Sequence, residues 1–154
     1  MRFSLNSPSY IAEKGLTTSS CYPYTSEFTG NIGTCATQCA DKTDITELYK
    51  INSITKLTTT DEIKNFILQS GSVVATMKLY PDFLRYAKGQ YIANTNGNYL
   101  GYHSVKIIGW GVDGQNQDYW IAANSWGIGW GLNGYFYLPV NNQVLIETYG
   151  VHIA

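Results

Sequence analysis

Gly101-Tyr102-His103-Ser104-Val105-Lys106-Ile107-Ile108-Gly109-Trp110-Gly111 and Tyr119-Trp120-Ile121-Ala122-Ala123-Asn124-Ser125-Trp126-Gly127 follow one another closely along the chain. Each has the β-branched and aromatic content of a strand, bounded by Gly-rich and Asn-rich turns. Working outward, strands are expected at His103–Trp110, Asp118–Asn124, Gly134–Leu138 and Leu145–Ile153, with another alternating segment at Val73–Leu79. If the first two are neighbours, His103 and Asn124 come together at one end of a sheet. Gly109-Trp110-Gly111-Val112-Asp113-Gly114 fits the spacing G-x-G-x-x-G after a strand. A dinucleotide site needs a helix next, with its N-terminus facing the pyrophosphate. Gln115-Asn116-Gln117-Asp118 and another strand follow instead, so a hairpin turn around Asp113-Gly114 is expected.

Helices belong to the earlier part. Asn6 or Ser7 can cap a short opening helix, Pro8 suits its first position, and Lys14-Gly15 ends it. A loop runs from Cys21-Tyr22-Pro23-Tyr24 to Asp41, and a strand is expected within Ile45–Leu57. Thr59-Thr60-Asp61-Glu62 fits a capping box ahead of Ile63, Phe66 and Ile67, which share a helical face, and Gly71 closes that helix. A helical turn is expected at Pro81–Tyr86. The pattern by itself supports an α+β chain dominated by strand.

Composition narrows the function classes. The 154 residues carry a net charge of −1 and no run of Lys or Arg that would track a phosphate backbone, which disfavours nucleic acid as a partner. No apolar stretch approaches the length of a membrane span, so no membrane partner is expected. The opening residues Met1–Ser7 do not read as a signal peptide. Cys21, Cys35 and Cys39 cluster in a loop near Gly30 and Gly33, a pattern that points to a disulfide in an oxidising compartment. Three cysteines leave one without an internal partner, and a single free thiol is the plainer alternative. They do not complete a tetrahedral zinc shell without a fourth ligand, so no metal site is expected.

His103 and Asn124 are the residues that carry chemistry. An imidazole can take the proton of a thiol and return it to a leaving amine, while a side-chain amide on its other nitrogen fixes ring tautomer and direction. The surrounding residues give this pair a context. The histidine strand 101–111, the segment 119–127, then Trp130-Gly131 and Asn133-Gly134-Tyr135-Phe136, resemble the histidine and asparagine segments of papain-like cysteine peptidases. Gly15-Leu16 with Cys21-Tyr22-Pro23-Tyr24, Gly71-Ser72-Val73-Val74, Tyr80-Pro81-Asp82-Phe83-Leu84 and Tyr86-Ala87-Lys88-Gly89 resemble the cathepsin B and cathepsin C branches. The resemblance spans nearly the whole chain, in the family's order.

That resemblance implies a fold and a set of roles. The fold is a papain-like right domain, an antiparallel β-barrel-like sheet with peripheral helices, the helical left domain being largely missing from these residues. In that scheme residues 1–15 are an inter-domain helix, 16–44 a cysteine-containing loop region and 45–154 the β-rich domain. His103 matches the general base and Asn124 its orienter. Trp126 matches the indole covering their hydrogen bond, and Trp130 a residue on the leaving-group side, though core packing is an equal account of Trp130. Trp110 and Trp120 are read as packing. Ser104 and Tyr149 match positions of the main specificity pocket. Tyr149 stands where cathepsin B-like chains carry an acidic residue that accepts a basic side chain, so no preference for Arg is expected. The family implies no cofactor, and a lysosomal, vacuolar or extracellular location.

The family's nucleophile lies in a Cys-Gly-Ser/Ala-Cys-Trp/Tyr motif roughly 130–150 residues before the histidine and asparagine. No such motif occurs here, and the oxyanion glutamine that precedes it is missing too. The expectation is a cysteine peptidase half, inactive alone and completed for peptide or protein substrates by an N-terminal half. The competing expectation is a pseudo-peptidase that binds protein without catalysis. An epoxide that alkylates papain-type thiolates should leave Cys21, Cys35 and Cys39 unlabelled, read by intact-mass spectrometry; stoichiometric labelling would contradict their structural assignment.

Overall fold

A computed structural model describes residues 6–25, 30 and 34–153, with side chains from residue 10 to residue 152 of that set. Gly33, the segment before Asn6 and the proposed caps at Asn6 and Ser7, whose side chains are not among these, lie outside it. The described residues form two compact units, one from Ile54 to His152 and one ending at Ser53.

The unit ending at Ser53 is held by short-range devices. Helix α1 (Asn6–Lys14) begins two residues before Pro8 and ends where Gly15, at φ +80°, donates its N–H to the Ile11 carbonyl at 3.0 Å. Leu16 and Tyr49 exchange backbone hydrogen bonds of 2.8 and 2.7 Å. Cys21 and Cys39 form a disulfide, beside which the Ala40 N–H donates to the Cys21 carbonyl. Cys35 is left as an exposed free thiol, the odd cysteine expected from the count.

The larger unit is built on a sheet. In chain order the strands are β1 (Ile51–Leu57), β2 (Val73–Leu79), β3 (Gly101–Val112), β4 (Asp118–Ala123), β5 (Tyr135–Pro139) and β6 (Leu145–Ile153). Their order across the sheet is β1-β6-β2-β3-β4-β5. Each pairing of β2 with β3 and β6, and of β4 with β3 and β5, is antiparallel. The expected barrel-like closure is not reached. β1 and β5 are the two edges, and beyond β4 the β5 strand meets isolated bridges, from Gln90 to Tyr137 and from Leu132 to Tyr135, and no further strand among the described residues. Without strand-to-strand pairing across that gap the sheet stays open.

One face of this sheet is the core. On β2, Val73, Ala75 and Met77 are buried in alternation, and on β3, His103, Val105 and Ile107 follow the same period. Trp120 and Ala122 of β4, with Phe136 and Leu138 of β5, complete the layer. Helix α2 (Thr60–Ser70) lays Ile63, Phe66 and Ile67 on it. The expected capping box is present. The Thr59 hydroxyl accepts from the Glu62 N–H at 3.2 Å while the Glu62 carboxylate accepts from the Thr59 N–H at 3.0 Å. Gly71, at φ +94°, closes the helix onto the Ile67 carbonyl. The β3–β4 connection is a turn from Asp113 to Gln117 with Asn116 at φ 60°, so the glycine-spaced stretch leads into a hairpin and not a helix.

Phe66 packs so closely on Gly150 of β6 that any Cβ there would fall inside the ring's van der Waals radius. Gly150→Ala is expected to cost ~1–3 kcal/mol, the usual range for overpacking. Urea unfolding measures it; a change within error would contradict this helix–sheet contact.

Candidate functional site

β3 and β4 bring His103 and Asn124 together through face parity. The ladder pairs Lys106 with Ala123 and Ile107 with Ala122. His103 shares its face with Val105 and Ile107, and Asn124 continues the face of Trp120 and Ala122. The chain leaves the ladder at Asn124, whose N–H donates to the Gly134 carbonyl at 2.8 Å. On the other side of His103, Met77 of β2 is its cross-strand partner.

The His103 Nε2 and Asn124 Oδ1 are 2.8 Å apart. The same Oδ1 accepts the Ser125 backbone N–H at 2.8 Å, which fixes the oxygen end of the amide toward the ring. An oxygen cannot donate, so Nε2 must carry the hydrogen and Nδ1 is left with its lone pair. Asn124 Nδ2 is buried and has no hydrogen-bond partner among the described residues. His103 is 7% exposed. Burial pushes its pKa below the ordinary imidazole value, and the Asn124 hydrogen bond opposes that only in part. At neutral pH the ring is therefore a neutral base with one nitrogen held and one open.

Aromatic rings surround it. The Trp126 indole lies against the imidazole, 5.0 Å between centroids and 34° between planes, with its outer side toward solvent. Trp126 and Trp130 meet edge to face at 5.2 Å. Trp130 is half-buried, donating Nε1–H to the Leu84 carbonyl at 3.3 Å while packing on Tyr86 and Phe136. Trp120 is buried in the core and Trp110 half-buried against it.

Ser104 and Tyr149 are elsewhere, on the face of the sheet away from His103. Ser104 pairs with Thr76, and Tyr149 pairs with Val74 on the other flank of β2. Tyr149 is buried, and the Lys56 ammonium sits 6.0 Å over its ring while bonding Glu147 at 2.9 Å. Lys56, with the Tyr149 hydroxyl helping, holds the Glu147 carboxyl below its usual range. Cys21, Cys35 and Cys39 belong to the smaller unit. Among the described residues no cluster of His, Cys, Asp and Glu could hold a metal ion, and no helix is long and apolar enough to cross a membrane. A hollow of about 970 Å³ opens beside the β3–β4 turn, lined by Gln90, Asp113, Asp118 and Val140, but none of the site residues borders it.

Residues 3–153 match the model of the papain family cysteine proteases. The chain belongs to the papain family. It is 38% identical over 140 residues to Cathepsin B-like CP3 of Giardia intestinalis, covering 90% of this chain and 46% of that relative. It is 35% identical over 128 residues to Cathepsin B-like CP2 of the same organism, covering 82% and 42%. Among solved structures, proCathepsin B S9 from Trypanosoma congolense superposes with a TM-score of 0.81 at 27% identity, covering 96% of this chain and 52% of that one. The chain spans about half the length of the curated relatives it matches. In this papain-family chain the His103 and Asn124 side chains are in hydrogen-bond contact.

Two features escaped the sequence reading. Phe83, in the short 3-10 helix Pro81–Arg85, touches His103 and Trp126 with its ring; the periodicity marked only a helical turn there. The Ser125 N–H that locks the amide is a backbone group, invisible in residue types. Because the buried imidazole titrates below its unfolded value, the unfolded chain binds more protons across that interval. Stability should hold above about pH 6.5 and fall as pH drops below it toward the folded-state value. Urea unfolding between pH 7.5 and 5 should show this slope, with His103→Gln flattening it; an equal slope in both chains would contradict the assignment.

Proposed function

We propose that this chain supplies the general base and its orienting amide to a cysteine peptidase whose thiol lies outside these residues. The observation that carries the reading is the 2.8 Å contact of Nε2 with an amide oxygen that the Ser125 N–H also holds, which assigns the hydrogen to Nε2 and leaves His103 Nδ1 as the acceptor. A thiol brought to Nδ1 would give up its proton and form a thiolate–imidazolium pair. The thiolate attacks the scissile carbonyl, and the imidazolium returns its proton to the departing amine. Asn124 then bears on both states. It holds Nε2–H while the ring is neutral and accepts from the same N–H when the ring is charged. Trp126 shields one side of the ring from water, which strengthens a hydrogen bond made in low dielectric.

Alone, the chain is proposed to be inactive, since no Cys-Gly-Ser-Cys-Trp motif occurs in it. Its completion by an N-terminal half would make peptides the substrates. The Cys35 thiol, exposed and unpaired, is then a candidate for a disulfide to that half. The Cys21–Cys39 disulfide favours a lysosomal, vacuolar or extracellular site over a reducing compartment. At Tyr149 itself a phenol stands where an acidic residue would accept a basic side chain, and the neighbouring Glu147 carboxylate is already paired with Lys56, so Arg is not the preferred occupant of the pocket that Ser104 and Tyr149 would line.

The test is complementation. The chain would be co-expressed with a separate polypeptide carrying a papain-type Cys-Gly-Ser-Cys-Trp segment and its flanking helical domain, and assayed on fluorogenic peptides. The expected result is hydrolysis only in the pair, with His103→Ala lowering it by roughly 10²–10⁴-fold. Formation of a stable, disulfide-linked pair with no hydrolysis, or hydrolysis indifferent to His103, would contradict the proposal.

A further inference from the structure

We propose that Phe83 is a positioning residue for this site, a braced ring that holds the His103 imidazole between Asn124 and Trp126. The inference rests on the catalytic reading above and names what sets the ring's tilt. A hydrogen bond at Nε2 fixes one point of the imidazole but leaves it free to swing about that point. Two surfaces prevent the swing. Trp126 packs on the ring at 5.0 Å, and Phe83 meets both of them, 6.4 Å from the His103 centroid and 5.5 Å, edge to face, from Trp126. The three rings thus contact one another in a closed triangle. Phe83 is fully buried and also contacts Trp130 at 4.8 Å and Phe136 at 4.9 Å, so the triangle is backed by the core.

The placement of Phe83 is itself built. It sits in a one-turn 3-10 helix, a conformation with little strength of its own. Both neighbours are hydrogen-bonded to other parts of the unit. The Asp82 carboxylate accepts from the Tyr91 hydroxyl and from the Asn94 N–H, each at 2.9 Å. The Leu84 carbonyl accepts from the Trp130 indole N–H at 3.3 Å. These bonds anchor the Asp82 side chain and the Leu84 carbonyl on either side of the ring, and Trp130 contributes one of them while also touching the ring. Phe83 is among the rings packed about the imidazole, and burial is the largest cause lowering the His103 pKa.

Phe136 provides a control of the same kind. It is as fully buried as Phe83 and touches it, Tyr86 and Trp130, but makes no ring contact with His103 or Trp126. Phe83→Leu and Phe136→Leu in the 154-residue chain should both lower the unfolding midpoint. The discriminating readout is the His103 imidazole, followed by its Cε1–H titration and by the fraction of neutral ring protonated at Nε2. Phe83→Leu is expected to raise the His103 pKa toward the ordinary value of about 6.5 and to admit a measurable population of the Nδ1–H tautomer. Phe136→Leu is expected to leave both unchanged. Unchanged values in Phe83→Leu, or equal shifts in the two variants, would overturn the proposal. Asn124→Ala separates this from the catalytic reading. If it leaves the tautomer unchanged, the orienting role of Asn124 fails, whatever Phe83 does. If it changes the tautomer while Phe83→Leu does not, only the positioning role is lost.

Discussion

The hydrogen bond from His103 Nε2 to Asn124 Oδ1 is the contact on which the rest of the site depends, and it is set by a third group. Ser125 donates its backbone N–H to the same oxygen, so the amide cannot turn its nitrogen toward the ring without losing that bond. This converts a flexible imidazole, free to hold its proton on either nitrogen, into a base with one defined acceptor. Burial adds the second constraint by disfavouring the charged ring. The two effects differ in sign, since the Asn124 bond favours the imidazolium and desolvation opposes it more strongly. Under the proposed function, a nearby thiolate would add the negative charge that tips this balance toward the imidazolium.

Everything around this bond serves its geometry. β3 and β4 deliver the two side chains on one face, and the departure of the chain from the ladder at Asn124 puts Ser125 within reach of the amide oxygen. The buried layer of Val73, Ala75, Met77, Val105 and Ile107 makes the sheet beneath a stiff support. The orphaned Nδ2 of Asn124 shows the other side of the arrangement. A buried donor left unpaired costs ~1–3 kcal/mol, and the fold tolerates that here to keep the oxygen facing the histidine.

Much of this was legible in the residues. The capping box at Thr59–Glu62, the stop at Gly71, the alternating strand Val73–Leu79 and the turn after Val112 all follow from local chemistry, and local chemistry decides them. His103 and Asn124 were legible as a pair because strand period puts them on the same face once β3 and β4 are neighbours. Closure of the sheet was not legible, because it depends on what meets the β5 edge and not on any one strand. Phe83 was not legible either. Its role comes from how the segment around it meets the sheet, held by Tyr91 and Asn94 of one connection and Trp130 of another. Ser104 and Tyr149 were singled out by resemblance alone, whereas the Lys56–Glu147 pair above Tyr149 depends on the pairing of strands distant in sequence.

The most direct measurement is the tautomer of the neutral His103 ring in the unmodified chain, read from long-range proton–nitrogen correlations of the imidazole at a pH above its titration. The account predicts a single form, with the hydrogen on Nε2 and the lone pair on Nδ1. A ring protonated at Nδ1, or an even exchange between the two forms, would contradict it.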